Sequence, residues 1–426
     1  MRLAVFSHKA CWQSGTSPTG FATDGGFPAQ MRALADLFDE TTLVVPCSGA
    51  GGHAGETFLA GRNLRVAPLM PLQAKGWARR AAFPLWLLKN VPTILREFCR
   101  ADAIHAAVPG DVGTVGLVLA LAARKPLFVR YCNNWFATRT TAERLWKWSM
   151  ERFAGGRNVM LATGGAAEPP SPRSPEVRWI FATSLEAREI EASAQLRNRL
   201  PGSSPRLILV GRQETGKGTG ILIESLPEIA RTFPDVTLEV LGDGTGLTEF
   251  RRTAQRVGVA DRINFRGNVD RATVTRSLQC ADLFCFPTAS EGFPKAVLEA
   301  LACGLPVLAT KVSVLPMLIA EGAGLLLDEA TPEAVASGVR RCLSDETAYR
   351  EMSARALETA RKYSLESWRD SIGELLAAGW GPLRRSAQAP SAGPSPTDPA
   401  DRKAGTAEPS GSNGIAQARR GAAHAE

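Results

Sequence analysis

Two glutamates eight residues apart, Glu291 and Glu299, frame the stretch of this chain best suited to chemistry on a ligand. The stretch reads Thr288-Ala-Ser-Glu-Gly-Phe-Pro-Lys-Ala-Val-Leu-Glu-Ala-Leu-Ala-Cys-Gly-Leu-Pro-Val. An apolar run ends near Pro287, and a helix is expected to open with Pro294 in its first turn, where the missing N–H needs no partner. The free N–H groups of such a turn, with the helix dipole behind them, attract an anion. Glu291 would stand at the lip of that pocket, and Glu299 two turns further along the helix. Carboxylates at those two points can accept hydroxyls from two ends of one ligand, with phosphate between them. A sugar on one side and a ribose on the other meet that demand.

Three other places carry compatible groups. Leu209-Val-Gly-Arg-Gln-Glu-Thr-Gly-Lys-Gly218 places Arg212 and Lys217 in a glycine-rich loop. Gly25 and Gly26 precede an amphipathic stretch, where bare backbone can approach an anion at a helix start. His105 closes the short run Asp102-Ala-Ile-His, and His8 follows the first apolar run; either could face a cleft.

The elements that must position these groups follow a βαβ rhythm. In the front half, Leu3–Phe6, Thr42–Val45, Ala103–Ala106, Leu127–Arg130 and Val159–Ala162 read as strands separated by helix-length stretches. Pro169, Pro170, Pro172 and Pro175 then mark a linker. The rhythm restarts with strands at Arg206–Val210, Thr237–Leu241, Ile263–Phe265, Asp282–Phe286, Pro306–Ala309 and Gly324–Leu327. Helices are expected at Gly220–Thr232, Leu247–Val257 and Lys295–Ala302. The pattern predicts an α/β protein with two doubly wound, mostly parallel sheets, whose strand ends face a cleft. A late amphipathic helix starts near Ser364, and from about Ser386 the chain is Ala, Pro, Ser and Gly without periodicity, expected to be disordered.

Of the 426 residues, 44% are hydrophobic and 22% charged, enough apolar mass for two cores. The net charge of +8 is uneven: residues 1–200 hold 24 Lys and Arg against 15 Asp and Glu, whereas 201–380 hold 20 against 23. An anionic partner for the front half fits this asymmetry. The charge is dispersed and no recognised binding motif accompanies it, which disfavours nucleic acid. Eight cysteines without a CxxC pair suit reduced thiols, a metal-free chain and a cytoplasmic location. The longest uncharged apolar run, Val115 to Ala123, has nine residues, short of the roughly 20 that span a bilayer. Lys75 to Lys89, and on to Phe98, mixes cations with bulky apolar residues. In one reading Lys75, Arg79, Arg80, Lys89 and Arg96 meet anionic headgroups while Trp77 or Trp86 lies at the interface; in the other this is a helix packed on the sheet.

The motif Glu291-Gly-Phe-Pro-Lys-Ala-Val-Leu-Glu299 resembles the E-x7-E signature of retaining GT-B glycosyltransferases of family 4, the glycosyl transferases group 1. Across Arg206–Leu343, Leu209-Val-Gly-Arg-Gln-Glu-Thr-Gly-Lys-Gly218, Leu238-Glu-Val-Leu-Gly-Asp-Gly244, Ile263-Asn-Phe-Arg-Gly-Asn-Val269 and Gly324-Leu-Leu-Leu-Asp328 extend the resemblance in order and spacing. It implies that Arg212 and Lys217 grip the donor diphosphate and that Glu291 holds donor-sugar hydroxyls. The backbone of Gly292, Phe293 and Lys295, around Pro294, would lie near the phosphates. Glu299 would bind the ribose diol and Val269 the nucleobase, with Gly25, Gly26 and His105 reaching the site from the front half. After Val129, where family members often carry a His, this chain has Arg130-Tyr-Cys-Asn-Asn-Trp135; Asn133 or Asn134 can bond a hydroxyl but cannot act as base. Trp179-Ile-Phe-Ala-Thr-Ser184 stands where the family's second domain opens.

The expected organisation is an acceptor-side Rossmann-like domain (1–165), a linker (166–176), a nucleotide-sugar domain (177–363), a helix returning to the first domain (364–385) and a tail (386–426). The expected function is metal-independent transfer of a sugar, with retention, from a nucleotide-sugar to a lipid-linked or polysaccharide acceptor, at the inner face of the cell membrane. No cofactor is expected. The alternatives are a nucleotide-sugar epimerase or sugar-phosphate synthase of the same fold, or a non-catalytic sugar-nucleotide-binding protein.

Overall fold

The computed structural model describes residues 1–383 except 50–55, 75, 137, 139, 167, 197–199 and 320. Lys75 and the tail expected from Ser386 lie outside the described residues. Every apolar run read as a strand is one, and the βαβ rhythm resolves into two sheets.

The first sheet holds β1 (Arg2–Phe6), β2 (Cys11–Gln13), β3 (Phe21–Asp24), β4 (Glu40–Ser48), β5 (Glu56–Phe58), β6 (Leu64–Leu69), β7 (Ala103–Val108), β8 (Leu127–Tyr131), β9 (Asn158–Thr163) and β10 (Val177–Ile180). Its parallel core runs β6-β4-β1-β7-β8-β9-β10. β2, β3 and β5 form an antiparallel flap on the end of β4. The second sheet holds β11 (Arg206–Val210), β12 (Thr237–Leu241), β13 (Ile263–Gly267), β14 (Leu283–Phe286), β15 (Val307–Thr310) and β16 (Gly324–Leu327) in the order β13-β12-β11-β14-β15-β16. Both reverse direction of travel once, between β1 and β7 and between β11 and β14. Open parallel sheets bind ligands at such switch points, beyond the carboxyl ends of the strands.

Helices cover both faces of each sheet because the strands are buried on both sides: Leu3 to Phe6, Phe284 to Phe286 and Val307 to Ala309 are all nearly inaccessible. The late helix Leu365–Trp380 is capped by Ser364, whose Oγ accepts from the Ser367 N–H. It returns to the first sheet, burying Trp368, Ile372 and Leu376 beside Leu3, Val5 and Met31. Each such side chain contributes about 1.5–3 kcal/mol, which fixes the crossing.

The expected boundary between the two domains is corrected. Val177–Ile180 pairs with β9 in the first sheet, so the crossover follows residue 180 and lies beyond the 166–176 passage. The four prolines bend the chain but do not end the sheet, because Val177 and Ile180 face its core. Trp86 is buried, donating from Nε1 to the Met70 carbonyl at 2.6 Å, whereas Trp77 is 83% exposed. Of these two, Trp77 is the one open to an interface.

Candidate active site

Lys217 and Glu291 meet at the switch point of the second sheet. Lys217 stands on the loop leaving β11, and Glu291 on the loop leaving β14. Lys217 Nζ makes an ion pair with Glu291 Oε1 and donates to the Ser290 carbonyl at 3.2 Å. Both side chains are largely enclosed. The first loop needs Gly218: its φ is +88°, and a Cβ there would overlap the Pro287 carbonyl of the second loop. The close approach of the two loops therefore depends on a missing side chain.

The helix Lys295–Ala302 forms where it was expected, with Pro294 as its N-cap rather than inside its first turn. Val297 and Leu298 N–H groups turn back to the Pro294 carbonyl. Glu299 lies on this helix at the opposite end of the site from Glu291. Burial raises its carboxyl above the usual range, while Arg271 and Lys295 pull it back down. Lys295 keeps exposed surface, yet protein crowds its ammonium: burial, and then Arg130, lower its pKa. Val269 and Phe293 pack at the edge of the core under this helix. Arg212, in contrast, is mostly exposed and pairs with Glu214 at 3.1 Å, so it is not held against Glu291.

The first domain closes the site from the other side. Asn134 Nδ2 donates to the Glu291 carbonyl at 3.1 Å. Asn133 instead donates to Glu143, which also caps the helix Thr141–Phe153. Gly26 caps the helix Phe27–Ala35; a Cβ there would lie 2.5 Å from Ser184 Cβ and 3.8 Å from Lys295 Nζ. Gly25, with φ +69°, has open space where its Cβ would be. Gln30, on the same helix, donates to the Thr183 carbonyl at 2.7 Å and accepts from Arg130 Nη2 at 3.3 Å.

His105 is not part of this arrangement. The strand runs on through Ala106, Ala107 and Val108, which places His105 in mid-sheet. Its ring stacks on Phe128 at 4.1 Å, and Nδ1 lies 3.0 Å from the Phe128 carbonyl. Burial, and then Arg130, bring its pKa down to about 3. It is a neutral core histidine. His8, in the loop leaving β1, stands at the switch point of the first sheet instead.

Three groups at the site carried no strong sequence signal: buried Arg130, the side chain of Lys295, and Arg271 beside Glu299. Arg130 was visible only as a departure from the family pattern. Its Nε is buried without a hydrogen-bond partner, and its guanidinium lies 5.4 Å from the ring of Trp368.

This architecture is the GT-B class: two Rossmann-like sheets facing one cleft. Solved structures of similar shape include Anabaena HepE with UDP and glucose (TM-score 0.60, 19% identity, 88% of this chain and 99% of that one). Sucrose-phosphate synthase from Thermosynechococcus elongatus aligns over 89% and 98% (TM-score 0.61, 17% identity). Residues 193–362 match the family model described as Glycosyl transferases group 1, and the chain carries a domain of that family. The D-inositol 3-phosphate glycosyltransferase of Segniliparus rotundus is 34% identical over 205 residues, 47% of this chain and 45% of that protein. A GDP-mannose-dependent alpha-(1-6)-phosphatidylinositol monomannoside mannosyltransferase of Mycolicibacterium smegmatis is 29% identical over 69% of this chain and 81% of its own length. The chain thus spans about half the length of the first of these relatives.

Proposed function

We propose that the chain transfers a sugar from a nucleotide-sugar, with retention and without a metal ion, to a lipid-linked or polysaccharide acceptor. The observation that carries this reading is the Lys217–Glu291 pair at the second switch point, with a helix start beside it. As the bond from sugar C1 to the phosphate oxygen breaks, negative charge grows on the departing diphosphate. Lys217, Lys295 and the helix-start N–H groups oppose it, and Arg212 is free to swing in from solvent. Glu291 holds the sugar, and Glu299 takes the ribose diol. The acceptor oxygen bonds to C1 on the face the phosphate leaves, and its proton passes to a phosphate oxygen. No side-chain base is required, which agrees with the removal of His105 from the site.

The GDP-mannose-dependent relative and the UDP-containing neighbour support a nucleotide-sugar donor. The inner face of the cell membrane is the proposed location: Leu85, Leu88 and Trp77 form an outward apolar stripe on the helix Gly76–Arg100, flanked by Arg80, Lys89 and Arg96. Mass analysis of products made from a bound donor, with and without acceptor, tests the reading. A glycosylated acceptor is expected; an altered donor sugar in the absence of any acceptor would point to epimerisation instead.

A further inference from the structure

Cys11 and Cys47 stand opposite each other at the joint between β2 and β4, where the two strands pair in register. Directly paired residues on neighbouring strands lie about 4.7–4.9 Å apart and point to the same side of the sheet. A disulfide bridges Cα atoms about 4.4–6.8 Å apart. Both side chains pack on one apolar cluster, with Leu3, Val5 and Leu43. Cys11 is 1% exposed, whereas Cys47 is half-buried and within reach of a small solute. We propose that these two thiols are a modification site: a peroxide joins them in a disulfide, and the bond weakens donor binding through the flap. Formation of the bond stands apart from the transferase reading; its effect on the donor rests on that reading.

The surroundings of Cys11 favour its thiolate. The Cys47 thiol bonds to it, and that contact, then Thr23 and Lys9, lower the Cys11 pKa in spite of burial. Thiolate character is what makes a cysteine reactive. Cys285 and Cys342 show the contrast: both lie in the core of the second domain, and burial pushes both thiols up, that of Cys342 to about 12.

The chemistry balances with one hydrogen peroxide. The accessible Cys47 sulfur bonds to a peroxide oxygen as the O–O bond breaks, and its thiol proton leaves with the departing hydroxide as water. The Cys11 sulfur then bonds to the Cys47 sulfur, the S–O bond breaks, and the second water carries off the Cys11 proton. The two sulfurs together lose two electrons, and the peroxide gains them.

The joint matters because of what it supports. β2 pairs with β3, which ends at Asp24; Asp24 is tied back to Lys9 by an ion pair, and Thr23 Oγ1 donates to the Ala10 carbonyl at 2.6 Å. Gly25 and Gly26 follow at once and lead into the helix Phe27–Ala35, beside Lys295. Ser48 Oγ donates to the Cys11 carbonyl at 3.4 Å, so β2 and β4 are joined side chain to backbone as well as strand to strand. Drawing the two sulfurs together moves β2 against β4, and β3 and Gly26 with it. There is no slack at Gly26, where even a Cβ would overlap Ser184.

The test treats the full reduced chain with hydrogen peroxide, stops the reaction with catalase, and maps unreduced peptides by mass spectrometry. A Cys11–Cys47 linked peptide, lighter by two hydrogen atoms and separated again by dithiothreitol, is expected. In thermal shifts, the oxidised chain should need about tenfold more nucleoside diphosphate than the reduced chain for the same gain. Dithiothreitol should restore the original response. Cys47→Ser, or Cys11→Ser if the first variant folds poorly, should bind nucleotide like the reduced parent and ignore the peroxide. No linked peptide, oxidation that ends as a sulfinic acid on Cys47, or a linked chain with unchanged nucleotide affinity overturns the inference. If no nucleotide stabilises even the reduced chain, the transferase reading falls and the coupling with it, while the linked peptide still decides the thiol site.

Discussion

Lys217 and Glu291 are 74 residues apart in the chain, yet they form an ion pair because their loops leave β11 and β14, neighbouring strands at the point where the second sheet reverses. The pair has little to do with holding the fold. For two largely enclosed charges the cost of leaving water offsets most of what their attraction gains, while the sheet beneath them buries whole runs of aliphatic residues. Its position at a strand-end crevice suits a ligand that inserts between the two groups.

Lys217→Ala and Glu291→Gln are accordingly expected to lower the rate of transfer by about 10²–10³ each. Both variants should keep the unfolding midpoint in urea close to that of the parent. A rate loss below tenfold in both, with folding intact, would count against their role.

Gly26 is expected to tolerate no side chain. The added methyl of Gly26→Ala meets Ser184, and overpacking of this kind costs about 1–3 kcal/mol. Urea unfolding should register the loss, and the added change Ser184→Gly should restore most of it. A double variant no better than the single one would contradict the contact.

His105 supplies a pH test. Its folded pKa is about 3, below the ordinary value of 6.5, so between those values the unfolded chain binds the additional proton. The stability held by the neutral ring is complete above about pH 6.5 and falls as the solution is acidified toward pH 3, by up to about 1.4 kcal/mol per unit. Urea midpoints of the parent and of His105→Gln, measured from pH 7 to pH 4.5, should differ in slope in that direction. Parallel curves would show that the ring is not held neutral. Transfer chemistry by His105→Gln should change little once the variant is folded.

Glu299 gives a second pH signature. Burial raises its carboxyl above the usual carboxylate range, so it becomes protonated earlier than a surface glutamate as the pH falls. An ionised carboxylate accepts both diol hydroxyls, and a protonated one accepts them less well. Nucleotide affinity should decline on acidification, and Glu299→Gln should lower affinity about tenfold and flatten the pH dependence. Calorimetry at several pH values reads both effects.

Much of the second domain was legible because local pattern and tertiary role agree there. Arg206–Val210, Thr237–Leu241, Gly324–Leu327 and the helix Lys295–Ala302 form where their apolar runs and glycine or proline boundaries place them. The first domain was harder to read. β2, β3 and β5 are short edge strands whose pairing depends on β4 and on one another, with no periodicity of their own. Val177–Ile180 has the same apolar character whichever sheet it joins, so sequence could not assign it. His105 was misplaced by ending its strand too soon: three further small apolar residues carry the strand on, and only the register with Phe128 on β8 shows where the ring lies. Arg130 and Lys295 form a cationic pair that arises from two domains closing together, and neither segment carries that information alone.

The central claim is that the second switch point holds a nucleoside diphosphate and its sugar. Thermal unfolding of the wild-type chain and of Lys217→Ala against a panel of nucleotides and nucleotide-sugars tests it most directly, because a ligand at 100 times its Kd stabilises by about 2.7 kcal/mol. One nucleotide family should raise the wild-type transition, and Lys217→Ala should lose most of that gain. A panel without any stabilising nucleotide, or an undiminished gain in Lys217→Ala, would contradict the account.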